Sequence, residues 1–194
     1  LRLSRDGLTP ISKVGMSSWF RTNLKNAKRI LGTFDKVNGE YNLTLDGETN
    51  NDNDDYTVSF NEASKGWISF KSFIPENGVS FSGKYFTTKG EKVYRHYDDT
   101  VDRNTFYGAT ELTPSSMTFL FNDVVSSVKS FKTVNYEGTQ ARVIGKDINS
   151  TQTDGQYYNL EDKSGWWVEN FKTDSQEGMI YEFINKENKW FNRI

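Results

Sequence analysis

The chain has 194 residues, enough for one large β domain or two small ones with a core that needs no covalent staples. It holds no cysteine, which removes disulfides, thiolate metal sites and thiol catalysis. Its 24 Lys and Arg against 26 Asp and Glu leave a net charge of −2, without the basic excess of proteins that bind nucleic-acid backbones.

The longest apolar segments, such as Met117 to Phe121, are strand-length, so no membrane span is expected. An aromatic share of 15%, with 3 Pro and 15 Gly, points to β architecture and away from collagen-like or disordered polymers. The chain begins Leu1-Arg-Leu-Ser-Arg-Asp-Gly, lacking an initiator Met and the apolar core of a signal peptide. It is expected to be a piece of a longer polypeptide.

Residues 1–15 alternate and reach turn chemistry at Gly7–Pro10, which predicts a strand and a turn. From Ser17 the apolar residues Trp19, Phe20, Leu24, Ala27, Ile30 and Leu31 fall near a period of about 3.6. With Ser17 or Ser18 as cap and Gly32 as stop, they predict the single helix of the chain. Its basic residues Arg21, Lys25, Lys28 and Arg29 read as a solvated face.

After Gly32 the period becomes two. Thr33-Phe34 leads through Asp35-Lys36-Val37-Asn38-Gly39-Glu40 into a return strand where Tyr41, Leu43 and Leu45 share a face, a hairpin. Tyr56–Phe60 turns through Asn61–Gly66 into Trp67–Lys71, the same unit again. In both, Phe and the returning aromatic are seven positions apart, Asp or Asn follows the first, and Gly stands one or two before the second. Phe183 to Trp190 and, with an aliphatic lead, Leu160 to Trp167 are further copies. Aromatics at this density give about four such pairs by chance, so the polar Gly/Asn turns carry the signal.

The run Asp46–Asp55 is too polar to pack and reads as a solvated loop. A hairpin is expected over Lys84–Tyr94 with its turn at Lys89-Gly90. Two longer strands are expected at Ser116–Phe121 and Val128–Tyr136, linked through Asn122-Asp123 as sheet partners.

Strand pairs recurring at roughly 25 to 45 residues are the sequence form of propeller blades or a stack of small sheets. The expected fold class is mainly β: antiparallel hairpins in an irregular β-propeller or stacked-sheet architecture, with one short helix near the N-terminus. Residues 1–145 form a propeller-like segment, and 146–194 form C-terminal β hairpins in the same or an adjoining domain. Phe34, Tyr41, Phe60, Trp67, Trp166, Trp167 and Trp190 are the packing or assembly candidates.

Chemistry finds little support. His96 is the one histidine, with no second His, Cys or matched carboxylate motif at ligand spacing, and reads as a packing or surface residue. Gly15-Met-Ser-Ser-Trp departs from the hydrolase elbow, and Gly138–Asp147 has the wrong glycine spacing and ends in Asp where a phosphate loop needs Ser or Thr. The acidic loop lacks the ligand order of a calcium loop. Carboxylates are numerous enough to form a glycosidase pair, but no pair stands out. Trp166-Trp167 with Tyr157 and Tyr158 suggest a sugar-stacking platform, yet neighbours on a strand point to opposite faces, which favours core or interface packing. Catalytic, cofactor and metal sites are therefore expected to be absent.

Several ordered motifs point to a family. These are Gly7-Leu-Thr-Pro-Ile-Ser with Gly15-Met, Gly39-Glu-Tyr-Asn-Leu-Thr, Phe60-Asn-Glu followed by Lys65-Gly-Trp-Ile-Ser-Phe, and Lys71-Ser-Phe-Ile-Pro-Glu. Arg103-Asn-Thr-Phe-Tyr-Gly and Phe121-Asn-Asp with Val128-Lys-Ser-Phe-Lys-Thr-Val-Asn-Tyr-Glu-Gly extend them. Over residues 5 to 145 the chain resembles tailed-bacteriophage virion structural proteins of the tail nozzle or baseplate, with β-propeller character. The resemblance implies a structural protein of the virion tail, with no catalytic residues, a homo-oligomer ring and other tail proteins as partners.

Residues 146–194 lie outside this resemblance and are left for contact with a fibre or another tail subunit. The alternative reading is a receptor- or carbohydrate-binding module, or a glycan-degrading enzyme of the tail, with a host-surface glycan as partner. A cellular propeller scaffold is a third.

Overall fold

The computed structural model describes residues 1–4, 7–47, 55–109, 113–139, 141–143 and 165–194. The body of the acidic loop, the Leu160 end of the fourth aromatic bracket, Tyr157, Tyr158 and most of Gly138–Asp147 lie outside the described residues. The chain divides into two units, Leu1–Phe119 and Leu120–Ile194; position 145, where the sequence reading divides it, lies in an undescribed stretch.

In the first unit, β1 (Arg2–Ser4) and β2 (Gly7–Thr9) form a small antiparallel pair. A 3-10 turn at Ile11–Lys13 and helix α1 (Ser17–Asn23) follow. Strands β3 (Ala27–Asp35), β4 (Glu40–Gly47), β5 (Tyr56–Asn61) and β6 (Gly66–Lys71) run as an antiparallel four-stranded meander. Strands β7 (Asn77–Phe81), β8 (Lys84–Lys89) and β9 (Lys92–Arg95) make a second meander of three.

The helix ends at Asn23, not at Gly32. Ala27, Ile30 and Leu31 belong to β3, where burial alternates residue by residue and the register with β4 continues from Arg29 to Asp35. A helix of this length gains little by itself, whereas each residue of β3 from Arg29 to Asp35 gains a ladder partner. The expected basic helix face is therefore dispersed: Lys28 and Arg29 sit on β3. Arg29 pairs with Asp46 at 3.1 Å and donates to the carbonyls of Glu76 and Pro75, tying the far end of the β3–β4 hairpin to the chain that enters β7.

The hairpin turns have a common cause. The acidic or amide residue after each leading Phe caps its own turn: Asp35 Oδ1 accepts from Val37 N at 2.8 Å, and Asn61 Oδ1 accepts from Ala63 N at 2.9 Å and Ser64 N at 3.0 Å. Two positions before the returning aromatic the backbone is left-handed, at Gly39 (φ 66°) in one turn and Lys65 (φ 51°) in the other. Ser82-Gly83, Gly90-Glu91 and Glu187-Asn188 each place two residues at positive φ, the tight turn that suits right-twisted strands.

In the second unit, β10 (Thr133–Tyr136), β14 (Lys189–Arg193) and β13 (Ile184–Lys186) form one sheet in that order. Strands β11 (Val168–Lys172) and β12 (Glu177–Ile180) form another. The expected pair of long strands is corrected here: residues 116–121 form no strand, and only Thr133–Tyr136 of the second stretch is extended in a sheet. Its partner is β14, with Tyr136 opposite Trp190. Alternation marks a segment able to pair but does not choose its partner, and β14, already paired in its hairpin with β13, offers its other edge to β10.

The fold is thus mainly β, with small antiparallel sheets and one short α-helix among the described residues, none of the sheets closing into a barrel. No described helix is long and apolar enough to cross a membrane.

Candidate functional site

Four of the seven candidate residues form one row. Phe34, Tyr41, Phe60 and Trp67 are successive cross-strand partners on β3, β4, β5 and β6, so the two predicted hairpins lie side by side with their aromatic brackets in register. Burial changes along the row. At its β6 end Trp67 packs on Phe60 at 5.4 Å and on Phe20 of α1 at 4.8 Å, and its indole N–H donates to the Ile11 carbonyl at 3.0 Å. Trp19 closes the same face against Tyr56 and Phe70 at 5.5 and 5.4 Å. The N-terminal helix and 3-10 turn therefore dock through edge-to-face aromatic contacts, worth about 0.5–1.5 kcal/mol each beyond burial.

The β3 end of the row is open, and Phe34 is 51% exposed. Tyr41 leans across Gly32, where a Cβ would run into its hydroxyl. Gly32 is thus a packing glycine within a strand, not a helix stop.

The opposite face of this sheet is polar and buried. Thr33, Asp35, Glu40, Asn42, Thr44, Thr57 and Ser59 are each under a tenth exposed. Four of them pair with one another: Ser59 Oγ donates to Asn42 Oδ1 at 2.5 Å, and the hydroxyls of Thr44 and Thr57 meet at 2.9 Å. Tyr85 of β8 enters this layer, its hydroxyl 2.8 Å from Thr33 Oγ1 and 3.3 Å from Asn42 Nδ2. Glu40 Oε2 lies 2.9 Å from Lys71 Nζ. Tyr97 donates to Asp35 Oδ2 at 2.6 Å; burial, that bond and the carboxylate charge push the phenol far above its ordinary range. The sequence-level face of Tyr41, Leu43 and Leu45 is real, but the polar face beside it is covered as well. Asn42, which begins a glycosylation triplet, is buried in this layer.

His96 is a packing residue. Its ring stands 4.7 Å from Phe73 and 5.0 Å from Tyr85, and Nε2 lies 2.7 Å from Thr87 Oγ1. Burial lowers its pKa, with the Asp35 charge opposing. Among the described residues no three His, Asp or Glu side chains cluster as a metal site.

The three tryptophans of the second unit separate. Trp190 is buried with Phe183, Ala141 and Val143, so the Phe183–Trp190 bracket closes on one small core, and its N–H donates to the Gly138 carbonyl at 3.3 Å. Trp166 makes a parallel bridge with Ala141, reinforced by Arg142 N donating to its carbonyl at 2.8 Å. Trp167 is 40% exposed, with the Arg142 guanidinium 3.9 Å over its ring. The two adjacent indoles do not form a shared platform.

Sequence reasoning missed several strongly exposed apolar side chains among the described residues. Leu120, Val125 and Val128 of the 116–128 stretch are 89%, 80% and 103% exposed. Val79 and Phe81 on β7 and Val93 on β9 also stand open on the outer face of their sheet, while Tyr85 and Thr87 face inward. The signal is apolar content, which over Ser116–Phe121 and from Val128 predicts paired strands.

These features describe a mainly β protein with a hydrogen-bonded polar layer, one aromatic row and exposed apolar side chains. Comparison with family models, curated proteins and solved structures returns no match.

Proposed function

We propose that this chain is a structural subunit of a bacteriophage virion, at the nozzle or baseplate end of the tail, working without catalysis through sheet and aromatic contacts. One observation carries the reading: large apolar side chains stand open on a chain of nearly balanced charge, as on a subunit whose surface is covered by neighbours. The ordered motifs between Gly7 and Gly138, which resemble tailed-phage virion proteins, support the particular setting. In this reading the small sheets are units of an irregular propeller or stack completed by other chains, including copies of this one in a ring. Quantitative mass spectrometry of purified phage particles is expected to find the chain at a fixed ratio to the tail proteins. Its presence in infected lysate but not in particles overturns the proposal.

A receptor- or carbohydrate-binding role of the tail is the second reading, favoured by the partly open Trp167 with Arg142 stacked on it. It requires glycan-array binding that Trp167→Ala abolishes; an empty array removes it.

A further inference from the structure

We infer that the stretch Met117–Val128 is an assembly arm that docks on the outer face of the β7–β9 sheet of a second copy of this chain. The inference deepens the assembly reading and rests on it.

The arm is apolar where a solvated loop would be polar. Leu120, Val125 and Val128 are almost fully open, and Asp123 is the one charged residue of the stretch. Its exposed apolar side chains present on the order of 1,000 Å², against the roughly 800 Å² per partner that a stable complex buries. A surface this poor in charge fits a protein partner, because charged residues are depleted at the centre of protein interfaces, and it does not suit an anionic nucleic acid.

The acceptor is on the same sequence. Val79, Phe81 and Val93 project from one face of β7–β9, and a sheet face takes a second layer packed about 10 Å away. Lys84, the cross-strand partner of Phe81, borders this face and is opposite in sign to Asp123 of the arm, while the Lys129 ammonium is taken up by Asn122 Oδ1 and the Val124 and Ser127 carbonyls at the arm's base. Because donor and acceptor are different surfaces, the contact is head-to-tail, and repeating it builds a ring where the rotation closes or a filament where it does not.

The test uses the full chain in sedimentation velocity over a concentration series. The wild type is expected to self-associate. Leu120→Asp with Val125→Asp on the arm, and separately Phe81→Asp on the face, are each expected to weaken association at least about tenfold. These side chains are exposed, and an unchanged near-ultraviolet dichroism spectrum certifies the fold; Val128→Asp and Val79→Asp serve as the second variant of each surface.

The decisive arm mixes the two variants. One carries an intact face and the other an intact arm, so together they are expected to form a one-to-one dimer that grows no further. A wild type that stays monomeric, including one whose arm is protected from hydrogen exchange within its own chain, overturns the inference. Arm variants that associate normally, or mixtures that stay monomeric, also overturn it. A monomeric chain still present in phage particles leaves the virion reading standing, so the two fail separately.

Discussion

The Tyr85 hydroxyl on β8 lies 2.8 Å from Thr33 Oγ1 on β3, joining the three-stranded and four-stranded sheets of the first unit through a polar contact. Tyr85 is fully buried, its ring 6.5 Å from Phe73, so one side chain fills space and satisfies two buried partners. Tyr85→Phe keeps the ring and leaves Thr33 Oγ1 and Asn42 Nδ2 without this hydrogen-bond partner. We expect a loss of about 1–3 kcal/mol in urea unfolding. A change of only a few tenths shows that the layer tolerates the loss, against this account.

Gly32 and Tyr41 form a second coupled pair. Gly32→Ala is expected to cost about 1–3 kcal/mol, because the new methyl meets the Tyr41 hydroxyl. Tyr41→Phe in the same background removes the atom closest to that methyl. A double-mutant cycle should show recovery of part of the cost; strictly additive effects contradict the contact.

Gly39 and Lys65 occupy equivalent left-handed positions in the two hairpin turns. Gly39→Ala is expected to destabilise by about 1 kcal/mol, since only glycine adopts this conformation freely. Lys65→Gly is expected to raise the thermal midpoint, relief of strain exceeding the added freedom of the unfolded chain. Opposite signs at the two sites are the readout, and equal signs refute the equivalence.

Two titrations contribute to the pH dependence of stability. The folded pKa of Tyr97 is raised, so the folded state holds its proton where the unfolded state releases it. Its contribution is complete below the ordinary phenol value of 10.0 and declines as pH rises above it. His96 is lowered from 6.5, so its contribution is present above that value and declines as pH falls through it. Unfolding measured across pH should show both slopes, with Tyr97→Phe reducing the alkaline one, to which the phenols of Tyr41, Tyr85 and Tyr107, raised by burial, also contribute, and leaving the acid one unchanged. Parallel curves for wild type and variant would exclude Tyr97 as the source.

The Phe34–Tyr41 and Phe60–Trp67 hairpins were legible because a hairpin is local. Asp35 and Asn61 cap turns two residues ahead, and the aromatics pair directly across the strands. The segment from Ala27 to Leu31 was not, because Ala27, Ile30 and Leu31 follow the helical period and only the ladder with β4, which leaves Ile30 on the open side, overrides it. The 116–121 stretch misled for a related reason: its composition is that of a strand, but strand formation depends on a partner elsewhere in the chain.

By itself, the sequence determined the β class, the hairpin turns and which aromatics bracket them, since these depend on residues a few positions apart. Tertiary structure alone decided that the hairpins align into one aromatic row, that the polar face of β3–β5 is an interior layer reached by Tyr85, and that Trp190 is buried while Trp167 is open. The physical reason is that alternation assigns side chains to two faces of a sheet, but only the packing of distant segments determines which face is covered.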